Sequence, residues 1–334
     1  MHYYLTRPQR DGVDADEWKP ESDTKAKANI EEWYRAGRLL FPRETLVSIR
    51  DQLRKPPSKG DLVYVKALDE LTYEYVVQTG EMKMPLGFFG APQIYYTSFD
   101  SLKRNTEHSL SRAYFPVGLA HLLLPADEQP DPQNVQDINA GVDAFNTAMR
   151  EWEAGDAWRE IKTTLLSLKL RVQINKIIGM ASGPFAATSK FKHTEWERSR
   201  RRSAVQNAFI VSLKNALQES HLGGDNVQCY AQDPAYDAAD LAVLQQSGVE
   251  VVEDPDGFLH LDNASLLFSC SPNICVKEIV ADMARPPIII WTDPDSPRVI
   301  EMIRAEYDKL AWPEDDGDNF TTMAIYVKKN ARAP

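Results

Sequence analysis

From about Ile174 to its C-terminus the sequence predicts an α/β domain of three layers, a mainly parallel sheet covered by helices on both faces. Three observations predict it. Strand and helix patterns alternate along this half, the strands are short apolar runs such as Ile174–Met180 and Pro287–Trp291, and the first strand ends in a glycine-containing turn. Such alternation joins parallel strands through crossover helices, and strands covered on both faces read as continuous apolar runs.

The preceding half reads as mixed and largely helical. Thr24–Phe41 carries Ile30, Trp33, Tyr34 and Leu39-Leu40 at helical spacing and stops at Pro42; Glu44–Leu53 is a second amphipathic helix ended by Pro56-Pro57. Two strand-like runs rich in Val and Tyr follow, Asp61–Ala67 and Leu71–Gln78. Pro85–Tyr96, with its Gly, Pro and aromatics, reads as ordered but irregular. The segment from Pro125 to Asp137 has no apolar periodicity and reads as a linker. Beyond it, Val142, Phe145, Met149 and Trp152 share one helical face, and Trp158, Ile161, Leu165 and Leu168 share another. The expected organisation is an N-terminal α+β region over 1–124, a linker over 125–137, connecting helices over 138–170 and the α/β domain over 171–330.

Within that domain the expected elements are strand Ile174–Met180, helix Ser203–Ser220, strand Val227–Ala231, helix Asp237–Gln246 closed by Gly248, and strand Val249–Glu253. Strand Ser265–Ser269, helix Val276–Ala284 and strand Pro287–Trp291 follow. A helix opening at Ser296-Pro297 and a closing strand Phe320–Lys328 complete the pattern.

The composition bounds the function. The chain has 334 residues, 43% hydrophobic and 26% charged, with a formal net charge of −11. No apolar run approaches the ~20 residues that span a bilayer, and the N-terminus has no secretory pattern, so a cytoplasmic, alternatively nuclear, location is expected. The acidic balance argues against nucleic acid as an obligatory partner. Cys229, Cys270 and Cys275 are too few for a disulfide framework and lack zinc spacing.

Ligands of such sheets bind beyond the C-terminal strand ends. The first end reads Gly179-Met180-Ala181-Ser182-Gly183, where glycine permits close backbone approach and the turn can present N–H groups to an anion. The spacing departs from the dinucleotide fingerprint, and Asp233 follows Gly183 at well over the roughly 20 residues usual for the acidic partner. A tight turn alone would also explain the glycines. Asp233, before Pro234, is placed either to accept from a ribose diol or to hold a turn. The fourth strand ends in Ser269-Cys270-Ser271-Pro272-Asn273, small polar groups at the same edge, with Asn273 a helix cap or a ligand contact. The run Arg198-Ser199-Arg200-Arg201-Arg202-Ser203 stands at the expected helix start, either to hold a phosphate or to be solvated, and contains a basophilic kinase pattern. Glu278 and Asp282 read as a solvated helical face. No acid–base system stands out among the six histidines.

The runs Ile177-Ile178-Gly179-Met180-Ala181-Ser182, Gln232-Asp233-Pro234 with Tyr236, and Gly248-Val249-Glu250-Val251-Val252 together resemble the SRR-like domain, named for plant "sensitivity to red light reduced" proteins. Phe268–Asn273 leading into Val276–Asp282 is similar to its fungal branch, and the resemblance covers about residues 170–292. Two positions depart from the pattern: Ala181 stands where the family turn usually has a second glycine, and Ser269 where plant and animal members often have histidine. The resemblance implies a Rossmann-like fold and a regulatory role, with no agreed reaction. A protein partner or a small nucleotide-like ligand is the expected partner, S-adenosylmethionine or a dinucleotide the cofactor class to consider. An S-adenosylmethionine-dependent transferase is the alternative, because methyl transfer proceeds largely by positioning.

Overall fold

The computed structural model describes residues 2–10, 13–14, 22–81, 87–108, 112–125, 138–186, 194–314 and 317–332. Most of the expected linker, 126–137, lies outside them. The chain divides into two compact units, Met1–Asn134 and Val135–Pro334.

The second unit contains, in order, α1 (Ile138–Ala154), α2 (Asp156–Leu166), β1 (Ile174–Met180), α3 (Thr194–Gln218), β2 (Gly223–Gln232), α4 (Ala238–Gln246) and β3 (Glu250–Val251). Then come α5 (Asp256–His260), β4 (Ser265–Ser269), α6 (Val276–Met283), β5 (Ile288–Thr292), α7 (Pro297–Glu306), β6 (Tyr307–Leu310) and β7 (Met323–Lys328). The strands form one sheet in the order β3-β2-β1-β4-β5-β7-β6. β1 is parallel to β2 and β4, β2 to β3, and β4 to β5, whereas β7 runs antiparallel to both β5 and β6. The order reverses direction at β1, so the topological switch point falls between β1 and β4.

Both faces of β1 are covered, and the pleat shows by what. A Cβ on Gly179 would lie 2.2 Å from Ile210 Cδ1 of α3, while the Met180 methyl lies 3.0 Å from where a Gly257 Cβ of α5 would stand. Successive residues therefore face opposite helices, as the period of two requires. The α3 face holds an aromatic core. Phe209 sits edge-on to Trp152 (5.8 Å), Phe268 (5.0 Å) and Phe320 (5.6 Å), so α1 is anchored into this unit by Trp152. Each such ring contributes about 2–3 kcal/mol of burial.

Several expectations needed correction. α3 begins at Thr194, nine residues early, so the arginine run lies inside the helix and not at its N-terminus. Ser203 is buried there, which removes it as an exposed phosphorylation site. β3 has two residues because the chain turns into α5, an element the sequence pattern missed, as it missed β6. Asp282 is buried against Arg298 of α7 and Glu278 is also buried, so this is an inward face. Ser296 precedes Pro297 at the start of α7, but its buried hydroxyl makes no capping bond.

The first unit carries more strand than its pattern suggested. His2–Leu5, Val117–Pro125, Gly87–Tyr96 and Gly80–Glu81 form one four-stranded sheet; Val13–Asp14, Pro8–Arg10, Thr72–Val76 and Leu62–Lys66 form another. The segment read as irregular is thus a long strand: it pairs with Val117–Pro125, and a register shift between Phe89 and Pro92 absorbs the Gly-Ala-Pro sequence. Helices Asp23–Arg35, Arg43–Leu53 and Phe99–His108 complete the unit. Leu62–Lys66 is an edge strand, and the Gln52 side-chain amide accepts from Tyr64 N–H (2.7 Å) and donates to Tyr64 C=O (2.9 Å).

Candidate functional site

The C-terminal edge of the second unit's sheet brings the predicted residues together from three strands. In register, Met180 lies beside Gln232 on one side and Ser269 on the other. The chain leaves β1 through Ala181, at φ 56°, and Gly183, at φ 75°; it leaves β4 through Ser271, at φ 49°. Left-handed non-glycine residues cost about 1–2 kcal/mol each unless the surroundings hold them. Here the surroundings do. Ala181 N–H donates to Gln232 C=O (2.9 Å). The Ser271 hydroxyl lies 2.7 Å from Thr321 Oγ1, on the segment between β6 and β7.

The turn after β1 is held mainly by two carboxylates. Asp233 accepts from Gly183 N–H (2.7 Å) and from Ala235 N–H (2.9 Å). Asp240, fully buried in the first turn of α4, accepts from Phe185 N–H (2.8 Å), Ala186 N–H (2.7 Å) and Asp237 N–H (3.0 Å). The last bond completes a capping box, in which the Asp237 carboxylate accepts in turn from Asp240 N–H. Burial raises both carboxyls above their usual range, against the opposing pull of those N–H donors. Asn207 of α3 adds a third tie, donating to Gly183 C=O (3.3 Å) and Ser203 C=O (2.9 Å) while accepting from the Tyr236 hydroxyl (2.7 Å). Burial also raises the Tyr236 phenol, so it acts as a neutral donor. Arg200 donates to Phe185 C=O (3.1 Å), and Arg202 to Asp318 C=O (2.7 Å). Two arginines of the run thus serve the chain's own carbonyls.

The two glycines of the motif have different roles. Gly179 lies within β1, where its lack of a side chain admits Ile210; Gly183 needs its left-handed φ, and a Cβ there would also stand 2.5 Å from Ser203 Oγ. The turn packs on α3 at Ser203 and Asn207, roughly three turns past the helix start.

Among the described residues, two hydroxyls at this edge are buried without a hydrogen bond of normal geometry. Ser269 Oγ, 1% exposed, is one; Ser182 Oγ, 2% exposed, is the other, lying beside the Tyr236 phenol without a bond of normal geometry. A buried polar atom without a partner costs about 1–3 kcal/mol. Asn273 is exposed, and α6 is capped at Cys275, so Asn273 is not the cap. The rim is formed by half-buried Ala181, Gly183 and Asp233 and exposed Ser271 and Asn273.

Sequence reasoning missed Asp240, Asn207 and Thr321. The Asp-x-x-Asp spacing of Asp237 and Asp240 was the available signal for the first; the other two act across long sequence separations and had none. A cavity of about 310 Å³ lies at the opposite sheet edge, lined by Asp262, Asp282, Arg285 and Lys328. Asp262, Asp282 and Arg285 are paired there with Lys176, Arg298 and Glu306, and Lys328 donates to the Arg285 carbonyl (3.4 Å). Among the described residues no cluster of His, Cys, Asp and Glu could hold a metal ion, and no helix is long and apolar enough to cross a membrane.

The family model of the SRR1 domain matches residues 161–298. The match runs from within α2 to the start of α7, and so includes β1 to β5 and the whole turn described above, with β6 and β7 beyond it. No curated protein matches the chain.

Proposed function

We propose that the SRR1 domain matched at residues 161–298 is a regulatory module of Rossmann-like, three-layer form. It takes a nucleoside-type ligand at the C-terminal ends of β1, β2 and β4 and signals its occupancy to a protein partner in the cytoplasm or nucleus. The observation that carries this reading is Asp233. It follows β2 at the C-terminal edge of the sheet, half-buried, with one backbone N–H on each oxygen of its carboxylate. An ionised carboxylate has about four acceptor sites, so a ribose diol can complete it. The post-β4 run Phe268–Asn273 supports a fungal-type member.

A second reading, an S-adenosylmethionine-dependent transferase, is favoured by a different observation. The reversed β7 inserted between β5 and β6 is the strand order of the S-adenosylmethionine-dependent methyltransferase fold. A shared fold supports a ligand class more than a reaction.

Calorimetric titration of the full chain with adenosine tests the first reading. Stoichiometric binding is expected, weakened about 10- to 100-fold in Asp233→Asn, since a charged hydrogen bond contributes about 1.5–3 kcal/mol. The apo variant should lose only about 1 kcal/mol of stability. A flat titration of the wild type at millimolar adenosine, or unchanged affinity in the variant, would overturn the reading.

A further inference from the structure

Among its described residues, 181–186, the turn after β1 lacks what a phosphate site needs. Phosphate-binding turns expose several backbone N–H groups at the point where the chain enters a helix, so that the helix dipole adds to them. Here Gly183, Phe185 and Ala186 N–H donate to Asp233 and Asp240, Ala181 N–H donates to Gln232 C=O, and Pro184 has no N–H. The two carboxylates stand where an anion would sit. The helix start is also elsewhere: α3 begins at Thr194, and the turn packs against Ser203 and Asn207, well inside the helix. Arg200 is held on the Phe185 carbonyl, so it leans towards the backbone side of the loop.

What remains available is of the opposite character. Asp233 keeps free acceptor sites; among the described residues the buried Ser269 hydroxyl at the end of β4 has no partner, and the buried Ser182 hydroxyl, in the turn after β1, lies beside the Tyr236 phenol. These are groups for hydroxyls, an ammonium and a single carboxylate. They are not a cradle for a di- or triphosphate.

Resting on the nucleoside reading above, we propose that the ligand carries no phosphate at this turn: it is a nucleoside with an amino-acid-bearing, neutral or cationic sulfur substituent, the S-adenosylmethionine class. The ribose diol completes the acceptor sites of Asp233, and the amino-acid end reaches Ser182 and Ser269. Placing a phosphate about 4 Å from a partly buried carboxylate is repulsive enough to weaken binding by 100-fold or more.

The test is a calorimetric panel on the full chain with S-adenosylmethionine, S-adenosylhomocysteine, adenosine, ADP and NAD. The expected result is that both sulfur nucleosides bind at least 100-fold more tightly than ADP or NAD, and that Ser269→Ala weakens the sulfur nucleosides about tenfold while adenosine is unchanged. ADP or NAD binding as tightly as the sulfur nucleosides would overturn the inference and leave the nucleoside reading standing. Binding of adenosine alone would also overturn it. Failure of all five would remove both readings, the nucleoside site first. Ser269→Ala replaces a buried unpartnered hydroxyl and is expected to fold; if it does not, Ser269→Cys, which keeps a weak donor, carries the same comparison.

Discussion

Asp240→Ala is expected to destabilise the second unit by about 3–4 kcal/mol, a large share of a typical 5–15 kcal/mol stability. Three backbone N–H groups end on that carboxylate, and the residue is inaccessible to solvent. Alanine leaves Phe185 and Ala186 N–H without an acceptor and dismantles the capping box of α4, each a loss of roughly 1–2 kcal/mol. Burial has already raised this carboxyl, so the ionised form is held at a cost and the loss should be less than the three bonds alone would suggest. Denaturant unfolding checks the magnitude. Asp240→Asn keeps one acceptor for the turn but presents an amide to Asp237 N–H, so it should fall between wild type and alanine. A loss under 1 kcal/mol for Asp240→Ala would mean that the turn is not held from α4.

Gly179→Val is expected to cost about 3 kcal/mol or more, with no φ effect involved. A Cβ would stand 2.2 Å from Ile210 Cδ1 and 3.1 Å from Ile210 Cγ1, and Ile210 is itself fully buried. Overpacking in a close-packed interior is resisted on every side. The cause can be isolated by a double-mutant cycle. Ile210→Val removes the Cδ1 atom, so combined with Gly179→Ala it should recover 1 kcal/mol or more of the single variant's loss. If the glycine were needed for a ligand, the double variant would be stable yet unable to bind, a result that calorimetry distinguishes from simple repacking.

The strands of the second unit were legible because burial on both faces writes continuous apolar runs; Ile174–Met180 and Ser265–Ser269 were read at their observed bounds. The helix stripes of α1 and α2 were legible for the same reason, through Phe145, Trp152, Trp158 and Ile161. What was not legible depends on partners far along the chain. The polar start of α3 looked like loop because its apolar stripe begins only at Val205. Asp282 looked solvated because Arg298, its partner, arrives from α7. At the site, Ser182, Gly183, Asp233 and Ser269 were correctly gathered at one edge by the parallel-strand rule. The direction of their hydrogen bonds was hidden, since no local pattern announces that Asp233 and Asp240 accept from the turn.

The Gln52 amide on Tyr64 has a consequence for how the protein behaves in a crowd. Leu62 and Tyr64 point outward from an edge strand, each about two-fifths exposed, the kind of surface on which a second extended chain can lie down and begin a stack. Such growth needs an uninterrupted row of peptide donors and acceptors. Because Gln52 imitates a peptide group and occupies the central pair, an incoming strand would meet a gap in the middle of the row. One glutamine on a neighbouring helix thus acts as a stopper against polymerisation, while the apolar side chains around it are kept.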